Sequence, residues 1–482
     1  MISQFFFLLL LITTSSFVLI LLIKQKTSKA QATRLPPGPW KLPLIGNLHQ
    51  LTGDSPHVSL QKLSNEYGPL MFLQLGSLPT LVISSADVAR DIFRTHDLIF
   101  SGRPELYAAK IFSYNCSNIA FAPYGEYWRE IRKIAILELL GSKRVQSFQA
   151  VRNEEVADMI KIIARSSAGP TDLSRLIFLL ANNIICRVTF GRKYDSEADT
   201  GTTGFDIFFP WMGWLDKFNG REARVMKIFR ELDRFYDEEI LQQHLDPRRP
   251  KPEHEDLVDV LVRIQKDSSQ AVALSNEQIK SLLTDIFVAG TDTSSATLGW
   301  TMTEFIRNPS VMRRAQNEVR GVVKGREVVE ESDISELMYL KLVVKEALRL
   351  HPPAPLLVPR ETTEDCRVGE YEIPSGTRVL INAKAIATDP EHWEHPFEFR
   401  PERFLNSSID LKGNNFELIP FGVGRRGCPG MNFAMPLIEL ALANLLHRFD
   451  WKLPPGMRIE DLDMEEAPGM TMHKKNSSLP SL

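Results

Sequence analysis

The part of the sequence best suited to chemistry is a glycine-dense loop around one cysteine. Residues 421 to 430 read FGVGRRGCPG, and an apolar segment from 431 to 446 follows directly. Glycine lets the backbone reach positive φ and approach its neighbours closely, and Pro429 suits the first turn of a helix. Cys428 then lies just before a helix N-terminus, where free amide donors and the helix dipole favour a thiolate. Such a thiolate can bind a metal ion.

Three other interpretations of this loop compete. A buried structural cysteine is the commonest fate of a lone cysteine and stays an alternative for Cys428 taken alone. A zinc site needs about four ligands, and the chain contains no Cys-x-x-Cys pair. Residues 422 to 427 also match the G-x-G-x-x-G fingerprint of dinucleotide-binding loops. That fingerprint requires an unbroken helix start after it, whereas Cys-Pro-Gly follows here, and the next acid, Glu439, lies inside the apolar segment. We therefore reject the dinucleotide site.

The loop resembles the haem-binding signature of the cytochrome P-450 family. The pattern Phe-x-x-Gly-x-Arg-x-Cys-x-Gly is matched at each fixed position, by Phe421, Gly424, Arg426, Cys428 and Gly430. The resemblance implies a haem b cofactor whose iron takes the Cys428 thiolate as its axial ligand. It also implies that the haem is contacted by Phe421, Gly422, Arg426 and Gly430.

A second motif lies inside a long predicted helix that begins at a Ser275 cap. Residues 289 to 294 read AGTDTS, and a glycine followed by hydroxyl and acidic residues is poor helix chemistry, which is typical of functional sites. A slightly bent surface helix is the alternative. The segment resembles the family's oxygen-activation motif. The resemblance implies that Gly290 opens a groove for dioxygen, that the Thr293 hydroxyl hydrogen-bonds the bound oxygen, and that Asp292 helps to deliver protons through water.

Two further segments resemble the family's propionate-binding elements. Trp128 and Arg132 are four residues apart and share a helix face, although such a pair is often only a stacked surface contact. The resemblance implies that both donate hydrogen bonds to a haem propionate, and that Arg360, after the extended proline-rich path 351–359, meets a propionate. Nearby basic residues form either a solvated face or a docking surface for an acidic redox partner. They are Arg129, Lys133, Lys143 and Arg144.

The resemblance also assigns a structural network and a substrate pocket. Glu346 and Arg349 form a Glu-x-x-Arg pattern, which alone carries little information, and the family joins such a pair to a later arginine, here Arg403, in a buried network. The candidate pocket residues, for which ordinary packing is the alternative, are Phe112, Phe121, Phe287, Ala289, Leu357, Val358 and Met470. This apolar and aromatic lining suits a terpenoid, and an alkaloid or a phenylpropanoid nearly as well.

The N-terminus predicts a membrane anchor. Residues 2 to 23 are nearly all apolar and carry no charge, and about 20 such residues span a bilayer. Three lysines follow, which favours a cytoplasmic location for the rest; a cleaved signal peptide would place its basic residues before the apolar run. We expect a transmembrane anchor over 1–23, a basic, proline-rich hinge over 24–40, and a haem-binding monooxygenase domain over 41–482 that faces the cytoplasm from the endoplasmic reticulum membrane.

Composition sets the remaining bounds. The chain has 482 residues and a net charge of −3, so nothing suggests nucleic acid, and its four scattered cysteines fit a reducing compartment. The expected fold is a mainly α haem domain with a small β-rich lobe, plus one N-terminal transmembrane helix. The apolar cluster at 208–214 is expected to cover a substrate channel, touch the membrane or join the core.

The motifs, in the family's order from residue 36 to 475, most resemble plant microsomal members. The resemblance implies a monooxygenase that inserts oxygen into an apolar small molecule, with electrons from an NADPH-cytochrome reductase that holds the FAD and FMN. It allows cytochrome b5 as a second protein partner beside membrane lipid. One alternative is a reductase-independent haem-thiolate isomerase or dehydratase, although such relatives often lack the activating threonine that Thr293 supplies. The other is a non-enzymatic haem sensor or carrier.

Overall fold

The computed structural model describes most of the chain. The described residues are 34–52, 55–165, 172–194, 221–250, 252–269, 273–453, 456–467 and 469–475. Three predictions lie outside them: the anchor over 1–23, the first part of the hinge, and the apolar cluster at 208–214.

The described residues are mainly helical. The helices are α1 (Pro56–Tyr67), α2 (Ala86–Thr95), α3 (Tyr107–Phe112), α4 (Glu126–Ile134), α5 (Ser142–Ser147), α6 (Gln149–Arg165), α7 (Leu173–Phe190), α8 (Arg221–Arg234), α9 (Gln242–Leu245), α10 (Leu257–Lys266), α11 (Asn276–Arg307), α12 (Pro309–Val323), α13 (Met338–Leu350), α14 (Ala383–Ala387) and α15 (Met431–Arg448). The strands are β1 (Leu70–Leu75), β2 (Leu78–Ile83), β3 (Arg360–Glu361), β4 (Cys366–Val368), β5 (Tyr371–Ile373) and β6 (Arg378–Ile381). The prediction of a mainly α domain with a small β-rich lobe is confirmed.

The larger sheet has the order β1-β2-β6-β3. β1 and β2 form the predicted antiparallel hairpin, in which Leu70 pairs with Ile83, and β6 lies parallel to β2. β4 and β5 form a separate two-stranded sheet. The sheet, α2 and α14 enclose one apolar core, which also takes in Val423 of the cysteine loop. The β lobe therefore anchors one end of that loop.

The last part of the predicted hinge is packed onto both sheets. The Phe72 N–H on β1 donates to the Pro37 carbonyl at 2.9 Å, and the Glu372 N–H on β5 donates to the Arg34 carbonyl at 2.9 Å. Gly38 lies so close to β1 that an added Cβ would overlap the Phe72 carbonyl. Residues 34 to 40 are therefore joined to the folded body.

The helical core is built around α11. Its first turn has the predicted cap, since Ser275 Oγ accepts from the Gln278 N–H and Gln278 Oε1 accepts from the Ser275 N–H. α11 packs against α7 and α15, and most of its second half is buried. Among the described residues, α7 is the one helix long and apolar enough to cross a membrane, but more than half of it is buried inside the protein. We therefore regard α7 as a core helix.

Candidate functional site

The cysteine loop holds its thiol with backbone hydrogen bonds. The Cys428 N–H donates to the Phe421 carbonyl at 2.8 Å, and the Gly430 N–H donates to Cys428 Sγ at 3.3 Å, just before α15 begins. The Cys428 side chain is exposed, although it lies well below the molecular surface, so it borders an open space within the protein. Burial raises the pKa of the thiol, and the Gly430 N–H, the Arg132 charge and the Met431 N–H act against that rise. The helix terminus therefore favours the thiolate, as predicted, but burial outweighs it.

Positive φ angles shape both sides of the thiol. Gly422 and Gly424 have φ of +73° and +62°, a conformation that glycine adopts without strain. An added Cβ on Gly424 would overlap the Asp97 carboxylate, so no larger residue fits there. Leu357 also has a positive φ, +53°, which is uncommon for a residue with a side chain, and its Cδ1 lies against Gly422. Strain of this kind is typical of functional sites.

Four arginine side chains meet beside the loop. Their hydrogen bonds go almost entirely to backbone carbonyls. Arg132 donates to Gly427 at 2.6 Å, Arg360 to Val423 at 2.6 Å, and Arg426 to Ser101 at 2.8 Å and Ala122 at 2.6 Å. The fourth, Arg103, donates to Ala120, Val358 and Pro359. Sequence reasoning named the first three but missed Arg103, which stands in no motif.

This cluster has more positive charge than the adjacent protein balances. Burial lowers the pKa of all four arginines. The pKa of Arg360 falls to about 10 and the pKa of Arg426 to about 9. Repulsion between the guanidinium groups lowers the pKa of Arg103, Arg360 and Arg426 further. The closest carboxylate, Asp97, is 3.6 Å from Arg360. A buried charge is costly unless it is paired, so the cluster fits an anion with more than one charge.

These features fit a haem. The exposed thiol supplies an iron ligand, the loop's glycines leave room for a flat group, and the arginine cluster suits two propionates. Trp128 differs from its prediction in one respect. Its indole N–H donates to the Ile119 carbonyl at 3.0 Å, and its ring lies against the guanidinium of Arg426, whose Cζ is 4.2 Å from the ring centroid. The structure thus gives Trp128 the role of supporting an arginine.

The second motif lies in the middle of α11. Ala289 is exposed although the helix around it is packed, and the Thr293 hydroxyl donates to the Ala289 carbonyl at 2.7 Å. The helix is continuous through this segment, and Thr297 and Thr301 donate to the carbonyls four residues earlier in the same way. The face that carries Ala289 and Thr293 therefore borders open space.

Gly290 has a different role from the one predicted. An added Cβ on Gly290 would overlap Ile185 Cδ1 of α7. Its missing side chain allows two core helices to approach, and the predicted groove for dioxygen at this residue is wrong. The glycine still marks a distinct point of α11, since it faces Ile185 and follows the exposed Ala289.

Two acids flank this face of α11, and sequence reasoning missed the partners of both. Asp285 accepts from the side chain of Asn118 at 2.6 Å and from the N–H groups of Ile119 and Ala120 at 2.7 and 3.1 Å. Burial raises the pKa of Asp285 to about 6 against these three donors. Asp292 is buried and accepts from His473 Nε2 at 2.7 Å. The three hydrogen bonds that Asp285 accepts connect the loop before α4 to α11.

The structure brings some predicted pocket residues together and separates others. Phe121 and Val358 share one apolar cluster, and Phe112 packs edge-to-face on Phe229 of α8 at 6.2 Å. Phe287 lies about 200° around the helix from Ala289, and its ring is 6.0 Å from Phe190 of α7. The place of Phe287 beside Ala289 in one lining stays a prediction.

Met470 and the predicted Glu346 network lie in different parts of the chain. Met470 is half-buried in the turn that precedes Met472 and His473. Glu346, Arg349 and Arg403 lie together: Arg349 donates twice to Glu346, at 2.7 and 2.9 Å, and Arg403 donates to the same carboxylate at 3.0 Å. Glu346 and Arg349 are fully buried, so this network is a fixed part of the interior rather than of the open site.

Comparisons with known proteins agree on one family. The family model described as "Cytochrome P450" matches residues 36–480. Among curated proteins, the chain is 60% identical to "Cytochrome P450 71A9" of Glycine max, covering 94% of both chains. It is 56% identical to "Strychnine-11-hydroxylase" of Strychnos nux-vomica, over 94% of this chain and 92% of that one, and 43% identical to "Premnaspirodiene oxygenase" of Hyoscyamus muticus, over 94% and 93%. A zebrafish cytochrome P450 solved with progesterone superposes with a TM-score of 0.78 at 27% identity, over 88% of this chain and 98% of that one.

Proposed function

Because the chain belongs to the cytochrome P450 family, we propose that this haem-dependent oxidoreductase is a reductase-driven monooxygenase. We further propose that Cys428 holds its iron and that its substrate is a neutral, apolar small molecule. The observation that carries the iron site is the Cys428 loop, in which the thiol borders open space beside the Gly430 N–H and within reach of the Arg132 charge. The relatives are plant monooxygenases, which supports a role in specialised metabolism.

Different residues of the protein would have different roles around the haem. When bound, the haem supplies the redox centre at which oxygen is activated. Arg132, Arg360 and Arg426 would hold its carboxylates, and the Trp128 ring packs against Arg426. Thr293 has its hydroxyl on the open face of α11, and the Asp292 carboxylate, one residue earlier, is bound to His473 behind that face.

The first experiment tests the iron ligand. Cys428→Ala should abolish the thiolate-type carbon monoxide difference spectrum and all reductase-dependent turnover, because the variant has no thiolate in the loop that would hold the iron. Cys366→Ala, a half-buried cysteine on β4, is the matched control and should leave both unchanged. A Cys428→Ala protein that keeps the thiolate spectrum contradicts the proposal.

The substrate proposal rests on the charges near the open face. The carboxylate of Asp285 is engaged by three donors, and that of Asp292 by His473, so neither is open to a cationic ligand. The apolar cluster of Phe121 and Val358 adds no charge. We therefore favour a terpenoid. The 56% identity to a strychnine hydroxylase makes a basic alkaloid the second candidate.

A binding screen separates the two candidates. Purified haem-loaded protein is titrated with premnaspirodiene and with strychnine, and displacement of the iron-bound water is followed by the shift of the haem absorbance. We expect the uncharged diene to bind at least about tenfold more tightly, since burying an unpaired ammonium is costly. Tighter binding of strychnine, followed by reductase-dependent product, would assign an alkaloid instead.

The partners and location follow from exposed charges and from the N-terminus. Arg129 and Lys133 are exposed on α4, the helix whose Arg132 bonds to the Gly427 carbonyl, so positive charge lies just outside the cysteine loop. This supports docking of an acidic NADPH-cytochrome reductase, with cytochrome b5 as a further donor. Residues 1–23 would anchor the body to the lipid of the endoplasmic reticulum, with residues 24–33 as the connection.

A further inference from the structure

The oxygen-activation motif has a partner that no motif contains. His473, near the C-terminus, lies with Nε2 2.7 Å from Asp292 Oδ1. A carboxylate only accepts hydrogen bonds, so Nε2 carries the proton in this pair. The Asp292 side chain is 4% exposed and that of His473 is 30% exposed. The imidazole therefore stands between a buried acid and solvent.

The C-terminal segment holds His473 in this position. Trp300 Nε1 donates to the Met472 carbonyl at 2.8 Å, and the Met472 N–H donates to the Pro353 carbonyl at 2.8 Å. The Ala467 N–H donates to the His473 carbonyl at 2.8 Å, next to a bridge between Glu466 and Lys474. These hydrogen bonds hold the backbone on both sides of His473, so the contact between His473 and Asp292 is a defined part of the fold.

Asp292 and Thr293 face different ways. The Thr293 hydroxyl lies on the open face of α11, whereas the Asp292 carboxylate turns toward the C-terminal segment. An acid that gives a proton to the open side must recover one from elsewhere, and the imidazole bound to Asp292 is partly exposed. Histidine exchanges protons readily near neutral pH.

We propose that His473 is the positioning residue through which Asp292 is held and supplied with protons; this rests on the proposed monooxygenase function. In the step, the Nε2–H bond of the imidazole breaks as an O–H bond forms on Asp292, while a hydronium ion from solvent gives its proton to the other ring nitrogen, Nδ1, and becomes water. Once Asp292 has released its proton, the imidazole returns to the Nε2–H form by exchanging protons with solvent. Charge and atoms balance, and no further reactant is needed.

Other ionisable groups on the elements around His473 must be kept apart from this one. They are Asp463 and Lys474 on the C-terminal segment, Glu466 across the bridge, and His351 with Glu304 beyond Trp300. These groups are the same in every protein compared, because the two variants change residue 473 alone.

The test compares two substitutions. His473→Gln keeps an N–H donor for Asp292 but cannot carry a proton, and His473→Phe removes both functions. The exposed His254→Gln is the control. Each full-length haem-loaded protein is chemically reduced, mixed with oxygenated buffer, and followed by absorbance as it is re-oxidised between about pH 5.5 and 8.5. This measurement needs neither reductase nor organic substrate.

We expect the wild-type and His254→Gln proteins to show the same pH-dependent rate. Both His473 variants should be slower by about tenfold or more at neutral pH, with a flat pH profile. A His473→Gln protein with the wild-type profile overturns the proposal, because the hydrogen bond alone then suffices.

A second measurement does not involve catalysis. The ring resonances of His473 are followed by NMR of ring-labelled ferric protein and assigned by their loss in His473→Gln. They should move in Asp292→Asn, which replaces the carboxylate that accepts the Nε2–H bond. Unchanged His473 resonances in Asp292→Asn would overturn the contact itself. A wild type without the thiolate-type carbon monoxide spectrum would instead refute the proposed function, while the NMR coupling would stand.

Discussion

At the scale of single residues, the positive charge of the arginine cluster makes the site suited to bind an anion. Arg103 bonds to the carbonyls of Val358 and Pro359 on one side and Ala120 on the other, so it joins the proline-rich path to the loop before α4. It also brings a further positive charge to the three predicted arginines. A bound dianion would therefore stabilise both segments together.

Thr293 provides a prediction at the same scale. Thr293→Ala removes the hydroxyl from the open face but keeps the helix, so haem binding and NADPH consumption should persist while peroxide per NADPH rises by about tenfold. Thr301→Ala removes the same kind of bond, to the Thr297 carbonyl, in a fully buried position and serves as the control. Unchanged peroxide in Thr293→Ala, measured with the reductase present, would exclude a role in proton delivery.

At the scale of elements, α15 carries an acid in an apolar surrounding. Burial raises the pKa of Glu439 to about 7, against the attraction of Lys341. The folded pKa thus lies above the unfolded value of about 4.3. The folded protein binds more protons than the unfolded one between these values, so the stability from this group is complete at low pH and is lost as pH rises through about 7.

Glu439→Gln tests that assignment. The variant lacks the cost of a buried carboxylate, so relative to wild type it should gain up to about 3 kcal/mol between pH 5 and pH 8. The measurement is the thermal unfolding midpoint of haem-loaded protein at both pH values. If the difference between variant and wild type is the same at both, Glu439 does not titrate in this range.

At the scale of the whole molecule, the N-terminal connection sets where the folded body begins. A chain that starts at residue 34 keeps the hydrogen bonds of Pro37 to β1 and of Arg34 to β5. A chain that starts at residue 41 loses both bonds, together with the buried Pro36 and Pro39. Each hydrogen bond contributes about 1 kcal/mol. We expect the first chain to unfold near the full-length midpoint and the second several degrees lower. Equal midpoints would show that residues 34–40 do not stabilise the fold.

The sequence could predict what is local. The Ser275 cap, the β1–β2 hairpin and the cysteine loop each lie within a few residues, so their spacing carries the information. Asp285 meets the backbone 166 residues away, and His473 meets Asp292 across 181 residues. Neither spacing contains a pattern, because only the folded chain brings the partners together. Gly290 shows the opposite case, in which a local signal was correct in position and wrong in meaning.

The contact between Gly290 and Ile185 also constrains how this sequence can change over time. A methyl group at residue 290 would overlap Ile185 Cδ1, the far end of that side chain, so alanine at 290 requires either a different Ile185 rotamer or a smaller residue at 185. Substitutions at the two positions are therefore coupled, and the residue that α7 carries at 185 affects which residues the middle of α11 accepts.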